Sequence, residues 1–319
     1  MSRETLVQAA RNALSDAMAA DLEVVALGED VVSGGPFGLT KGLAVEFGTD
    51  RIRNTPISEA SFVGVGVGMA LGGLRPLVDV MFDDFLTLAS DQLFNQAAKI
   101  HFMSGGRFSV PLTIWTVGGA GTRWGAQHSQ RLDGWLSQIP GLKVLSPSSP
   151  RMMYSSMRAA LADPDPVVIL VDRSLLFSQA ELPGDDGSAW QPRVVVDGEL
   201  VTVVATGRLT HVAAEVARSH PGEIEVIDIQ RLAPIDVLPV VRSLQKTGKV
   251  VIASDETANG GFTAAVGLAI YDRAFWLLDA PVVHVSSPPT PVPAAPILED
   301  AFMVGASDIE RAVASLLQT

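Results

Sequence analysis

Cysteine is absent from the 319 residues, which removes disulfides, thiolate metal sites and cysteine nucleophiles. Basic residues are few: 23 Lys and Arg stand against 35 Asp and Glu, a net charge of -12. That balance repels nucleic acid and anionic membrane surfaces, so neither is expected as a partner. Long apolar runs are missing too. The longest, Phe62 to Leu74, stops at Arg75, short of the roughly 20 residues that span a bilayer, and no membrane span is expected. There is no G-x-x-x-x-G-K-[ST] phosphate loop and no G-x-S-x-G elbow; Ser104 is followed only by Gly105-Gly106. Gly64-x-Gly66-x-Gly68 lacks the G-x-G-x-x-G spacing of a dinucleotide fingerprint. No Gly-Asp-Gly is followed downstream by an asparagine pair, so a diphosphate and its magnesium have no evident place in this chain.

What is present reads as a two-domain α/β protein, the chain being about twice a typical domain in length. Met1 to Ala20 has the pattern of an amphipathic helix, with Leu6, Ala10, Ala13, Leu14, Ala17 and Met18 on one face, and not that of a leader; a cytoplasmic location is expected. Strand signals at Leu22–Leu27, Pro76–Met81, Pro111–Val117, Lys143–Ser146 and Val167–Val171 alternate with helical patterns such as Asp91–His101 and Arg151–Leu161. Such alternation predicts a parallel sheet with helices on both faces. The polar run within Ser178–Gln191, which includes Pro183-Gly184-Asp185-Asp186-Gly187-Ser188, breaks the rhythm. The expected division is residues 1–180, a linker over 181–195 and a second α/β unit over 196–319. That unit has strand signals at Leu200–Ala205, Ile224–Ile229, Val250–Ser254 and Val282–Val285, and helices at His211–His220, Pro234–Gln245 and Thr263–Tyr271. The proline-rich segment Ser286–Pro293 is expected to drape irregularly over a neighbouring surface.

Chemistry concentrates in a few places. In Asn54-Thr55-Pro56-Ile57-Ser58-Glu59, Pro56 favours a rigid turn, which places Glu59 in the first turn of a helix. A carboxylate there either complements the helix dipole or serves a site. The small residues that follow, through Gly72-Gly73, suit close approach of another backbone. His128, in the glycine-rich Gly118–Gln130 after a strand, stands where open α/β sheets place ligands, as an acid/base or as a satisfied structural histidine. Met81-Phe82-Asp83-Asp84-Phe85 follows another strand and offers a thioether and two rings, to the core or to a ligand. Asp163-Pro164-Asp165-Pro166 reads as a turn or a cation site.

Taken in order, Gly28-Glu29-Asp30-Val31, Asn54 to Glu59, Asn95-Gln96-Ala97-Ala98-Lys99, Met103-Ser104-Gly105-Gly106, Gly125-Ala126-Gln127-His128-Ser129-Gln130, Pro140 to Val144, Asp255-Glu256, Gly260-Gly261-Phe262 and Leu298-Glu299-Asp300 form one pattern. Nearly end to end, it resembles the β subunit of the thiamine-diphosphate-dependent decarboxylating component of 2-oxo acid dehydrogenase complexes. The resemblance implies a pyrimidine-binding transketolase-like domain followed by a transketolase C-terminal-type domain. It implies an α2β2 heterotetramer whose α subunit holds the diphosphate and Mg2+, with a lipoyl acyltransferase as further partner. The expected reaction is decarboxylation of a 2-oxo acid, pyruvate or branched-chain, with acyl transfer to lipoamide. Acetoin cleavage, or a noncatalytic relative kept for assembly, is the alternative.

On this resemblance Glu59 hydrogen-bonds the pyrimidine ring of thiamine diphosphate and favours its imino tautomer. Met81 and Phe85 contact the ring, Glu29 tunes or relays the Glu59 proton, and His128 donates a proton or orients the lipoyl group. Leu112, Ala160, Asp163 and Asp165 match potassium ligands, largely through main-chain carbonyls. Thr257-Ala258-Asn259 stands where many relatives have Pro-Arg-Thr, and Ala294 where an aromatic is usual, departures that bear on partner contacts and substrate class.

Overall fold

The computed structural model describes residues 4–183 and 187–318, so Gly184, Asp185 and Asp186 of the expected linker lie outside the described residues. Seven strands form the first sheet: β1 (Val24–Gly28), β2 (Ile52–Asn54), β3 (Arg75–Phe82), β4 (Thr113–Gly118), β5 (Lys143–Leu145), β6 (Val167–Asp172) and, from the second half of the chain, β10 (Arg231–Ala233). Five more, β7 (Arg193–Val196), β8 (Gly198–Ala205), β9 (Gly222–Asp228), β11 (Val250–Thr257) and β12 (Val283–Ser287), form the second. The orders are β10-β5-β6-β4-β3-β1-β2 and β12-β11-β8-β9-β7. All neighbours are parallel except β10 on β5 and β7 on β9. These antiparallel edges were not legible from alternation. They are three and four residues long, too short to carry a period, and β7 begins in the stretch read as linker and ends one residue past it.

Each strand of the first sheet's centre is buried on both sides, which is why Val167–Asp172 and Thr113–Gly118 read as unbroken apolar runs. One face is covered by the Leu6–Ala20 and Pro150–Ala162 helices, packed on Trp115, Val117 and Ile169. Thr5 starts the first of these: its Oγ1 accepts from Gln8 N–H at 3.3 Å, and the Gln8 side chain accepts from Thr5 N–H at 2.8 Å. The other face carries the Glu59–Leu71 helix and the Ala98–Met103 helix with the π turn before it, and its core runs on into the second domain through Leu232, Val266 and Ile270. Two domains thus share one apolar seam.

The glycines after Glu59 serve different faces. Gly66 lies on the sheet, where an added Cβ would sit 2.7 Å from Val78, so glycine is needed for the helix to approach. Gly68 and Val65 are exposed, on the face the sequence reserves for another backbone. Pro288–Ala295 has no regular structure, as its prolines require, and lies against the Gly118–Gln130 loop: Val292 packs with Ala120, Phe302 and Met303.

Candidate active site

In the first sheet the chain passes from β1 outward to β2, then returns to the other side of β1 as β3. The strand order reverses there, and open parallel sheets leave a crevice at the carboxyl ends of such strands. Glu29 follows β1, Glu59 begins the helix after β2, and Met81 is the second-last residue of β3. Asn54 stitches the crevice together: its Oδ1 accepts from Val32 N–H at 2.8 Å, and Thr55 N–H donates to Gly28 O at 3.0 Å.

Glu59 is 8 % exposed. Its helix is entered through Ser58, whose hydroxyl donates to Ser61 Oγ at 2.8 Å and caps no backbone group. Among the described residues no hydrogen bond or ion pair reaches the Glu59 carboxylate, so capping does not account for it. Glu29 is half-buried beside it, and burial, the Glu59 charge and Asp30 together raise the Glu29 pKa above the usual carboxylate range. Asp79, in β3, is a third carboxyl. Burial pushes it up to about 7, opposed by the Met81 N–H it accepts at 2.9 Å and reinforced by Glu29.

That hydrogen bond comes from a residue in an unusual place. Met81 has φ 72, left-handed for a side chain that rarely adopts it, and the β3–β4 register shifts between Asp79 and Phe82. Strain and bulges of this kind re-aim side chains beside functional sites. They turn Phe82 inward, where it gathers the aromatic part of the site. Its ring lies 5.3 Å from Phe85, 5.2 Å from Trp124, 5.5 Å from Phe37 and 4.9 Å from the His128 imidazole, edge to face with the last. Phe85 and His128 are themselves 5.5 Å apart. Arg173, after β6, places its guanidinium 5.1 Å from the Trp124 ring and 5.5 Å from the Phe82 ring, and donates to the His128 carbonyl and, at 2.9 Å, to Thr122 Oγ1.

Glu29, Glu59, Met81, Phe85 and His128 therefore line one continuous edge, linked through Asp79 and Phe82. The other four residues lie elsewhere. Leu112 and Ala160 are buried, and Lys143 Nζ holds Asp163 at 2.7 Å and Asp165 at 3.0 Å. The two carboxylates are committed to that ammonium, so any cation at this turn would rest on main-chain oxygens. Among the described residues no group of three or more acidic or histidine side chains is placed to hold a metal.

Sequence reasoning passed over Asp79 and Arg173. A lone carboxylate inside the apolar Pro76–Met81 run was the available signal for Asp79; nothing local marks Arg173 among charges after a strand. Glu299 entered only as part of a pattern, yet it is fully buried against the His128 loop.

The chain matches the pyrimidine-binding domain of transketolase over residues 4–179 and the transketolase C-terminal domain over 191–309. It is 37 % identical over 317 residues to the acetoin:2,6-dichlorophenolindophenol oxidoreductase subunit beta of Bacillus subtilis, covering 94 % of this chain and 93 % of that one. It is 39 % identical over 320 residues to the pyruvate dehydrogenase E1 component subunit beta-3, chloroplastic, of Oryza sativa, covering 98 % and 82 %. Among solved structures, a split gene transketolase described as an inactive beta4 tetramer shares the fold, with TM-score 0.80, 22 % identity and coverage of 99 % and 98 %. No described helix is long and apolar enough to cross a membrane. The fold, the carboxyl-edge site and these matches agree: the chain belongs to the transketolase-type family that contains the E1 β subunits of pyruvate and acetoin dehydrogenases.

Proposed function

We propose that this chain is the β half of a thiamine-diphosphate-dependent enzyme that cleaves a 2-oxo acid or acetoin and passes the acyl group to a lipoyl acceptor, active only with a separate α subunit in an α2β2 assembly. The observation that carries this reading is Glu59: a carboxylate 8 % exposed, with no partner among the described residues, set against a second carboxylate at the switch point of the sheet. Such a group suits a ligand that brings a proton or a ring nitrogen able to hold one. Met81 and Phe85 supply the apolar contacts an aminopyrimidine needs. Thiamine diphosphate, when bound, supplies an electron sink for the bond that breaks beside the substrate carbonyl.

The protein's own groups do the rest. Glu59 would accept a hydrogen bond from the protonated pyrimidine ring nitrogen and so favour the imino tautomer. Glu29, whose proton affinity is raised, keeps like charge beside Glu59 and can take up the proton that Glu59 releases. His128, facing Phe82 and Phe85, donates a proton at the outer side of the site or orients the incoming acyl acceptor. The α subunit holds the diphosphate and Mg2+. A potassium ion, if used, is held by the main-chain oxygens of Leu112, Ala160, Asp163 and Asp165.

Relatives of both the pyruvate and the acetoin kind match at nearly equal identity, so the substrate is to be settled by a panel. The purified chain, its α subunit, thiamine diphosphate, Mg2+ and a dye acceptor are mixed with pyruvate, branched-chain 2-oxo acids or acetoin. Glu59→Gln should lower turnover about 10²–10⁴-fold while still assembling, the usual worth of a positioned acid/base. Full turnover by that variant would reject the assignment, and assembly without cofactor binding would make the chain a scaffold.

A further inference from the structure

The loop after β4, residues 119–130, carries Trp124 and His128 and contains neither helix nor strand. Besides Asp84, which accepts from Gln130 Nε2 at 2.6 Å at its end, two charged residues hold it. Arg173, from the same domain, grips the His128 carbonyl and Thr122. The other hold comes from the far end of the chain. Glu299, in the Pro296–Phe302 helix, is fully buried and accepts from Gly121 N–H at 2.8 Å, Arg123 N–H at 3.0 Å and Arg123 Nη1 at 2.7 Å. Arg123 also reaches Asp300 Oδ1 at 2.6 Å and Pro296 O at 3.1 Å.

This grip explains an otherwise costly backbone. Arg123 has φ 66, in the left-handed region that residues bearing a Cβ avoid. In that conformation the amides of residues 121 and 123 converge on one carboxylate, the concave arrangement that binds anions elsewhere. Charge-assisted bonds to a buried carboxylate outweigh a single strained residue, so removing the carboxylate frees Arg123 to relax. His128 lies five residues further on, and its amide bonds back to Gly125 O at 3.3 Å, so the displacement has little slack to absorb it.

We infer that Glu299 is a positioning residue for His128: the last part of the second domain sets, through the Gly121–Arg123 main chain, where the histidine stands. The catalytic meaning of that position rests on the function proposed above; the positioning itself does not. It is read in the full chain by NMR with ¹³C-labelled histidine, the His128 signal being assigned with His128→Gln. Packed edge-on to Phe82 and Phe85, the His128 ring protons are displaced from free-imidazole values.

In Glu299→Ala the His128 signal should move toward the free-imidazole position. Amide exchange at Gly121 and Arg123 should rise about tenfold or more, as expected for loss of a charge-assisted hydrogen bond, while the β8 and β11 amides stay protected. Glu299→Gln, which keeps one acceptor oxygen, should restore the His128 signal partway. Should Glu299→Ala fail to fold, Arg123→Ala removes the guanidinium contacts from an exposed position and should shift the signal in the same direction by less. With the α subunit present, kcat with a lipoyl acceptor should fall while the KM for thiamine diphosphate holds. An unmoved His128 signal in the folded variant, or exchange that rises equally across the second domain, overturns the inference. Full turnover by Glu59→Gln would reject the functional reading and leave these NMR outcomes standing.

Discussion

At the carboxyl edge of the first sheet, Glu29, Glu59 and Asp79 crowd together with no ion-paired cation among the described residues; where the two domains meet, Asp83, Asp133 and Asp172 surround Arg131 instead. Arg131 Nη2 donates to Asp133 Oδ1 at 2.6 Å, with side chains 4 % and 2 % exposed. Burial opposes the Arg131 charge, but Asp133, Asp83 and Asp172 more than offset it and raise its pKa. Nearby, Glu256 accepts from Gly134 N–H at 2.9 Å and from Phe262 N–H at 2.7 Å, tying the starts of two helices from different domains. Both regions contain buried acids, yet one surrounds a cation from its own fold and the other does not. Buried charge that a protein satisfies internally holds parts together, whereas buried charge left open is available to a ligand.

That contrast can be broken most forcefully by exchanging the two kinds of loss. Glu59→Gln should abolish most turnover yet leave the unfolding free energy from urea titration within about 0.5 kcal/mol of the parent, since the substitution removes no partner. Arg131→Met should do the reverse in kind, lowering stability by about 3–5 kcal/mol because it strands the surrounding carboxylates. Denaturant titration beside the dye assay reads both. If Arg131→Met unfolds no more easily than the parent, the seam is not held by its charge.

A smaller effect tests how tightly the seam is closed. An added Cβ on Gly134 would stand 2.7 Å from Gly260 O, backbone against backbone, so Gly134→Ala should cost about 1–3 kcal/mol in the same titration.

The most diagnostic effect is on pH dependence. Burial and then the Asp133 charge raise Glu256 to about 8, against the Gly134 and Phe262 N–H groups that lower it. Burial raises Asp83 to about 7, opposed by Arg131. In the unfolded chain both acids titrate near 4. Between about pH 4.5 and 8 the folded protein thus keeps a proton on Glu256 that the unfolded chain has lost. Its contribution to stability is present below that window and falls as pH rises through it, by up to about 1.4 kcal/mol per unit. Glu256→Gln imitates the protonated form and should flatten this slope; an unchanged slope would place the titration elsewhere.

Legibility from sequence followed the range of the interactions involved. The alternation of strands and helices was visible because burial on a sheet or a helix repeats within a few residues. The Glu59–Leu71 helix begins at the residue where Pro56 and Ser58 lead one to expect it. His128 and Phe85 could be nominated from their position after strands and from an ordered resemblance, and they do meet. The short antiparallel edges β7 and β10 escaped because three or four residues carry no period. Asp163 and Asp165 read as a turn or a cation site, and only the fold shows that Lys143, twenty and twenty-two residues upstream, pairs with both carboxylates.

By itself, then, the sequence determined the α/β class, the two-part organisation, the absence of cysteine chemistry and the identity of the carboxylate at the helix start. Whether that carboxylate has a partner was decided only in three dimensions. So was the crowding of Glu29 and Asp79 around it, the enclosure of Arg131, and the hold of Glu299 on Gly121 across 178 residues of chain. The physical reason is that hydrophobic burial is patterned locally along the chain, whereas a charge is satisfied or left open by whatever the tertiary fold places within a few ångströms of it.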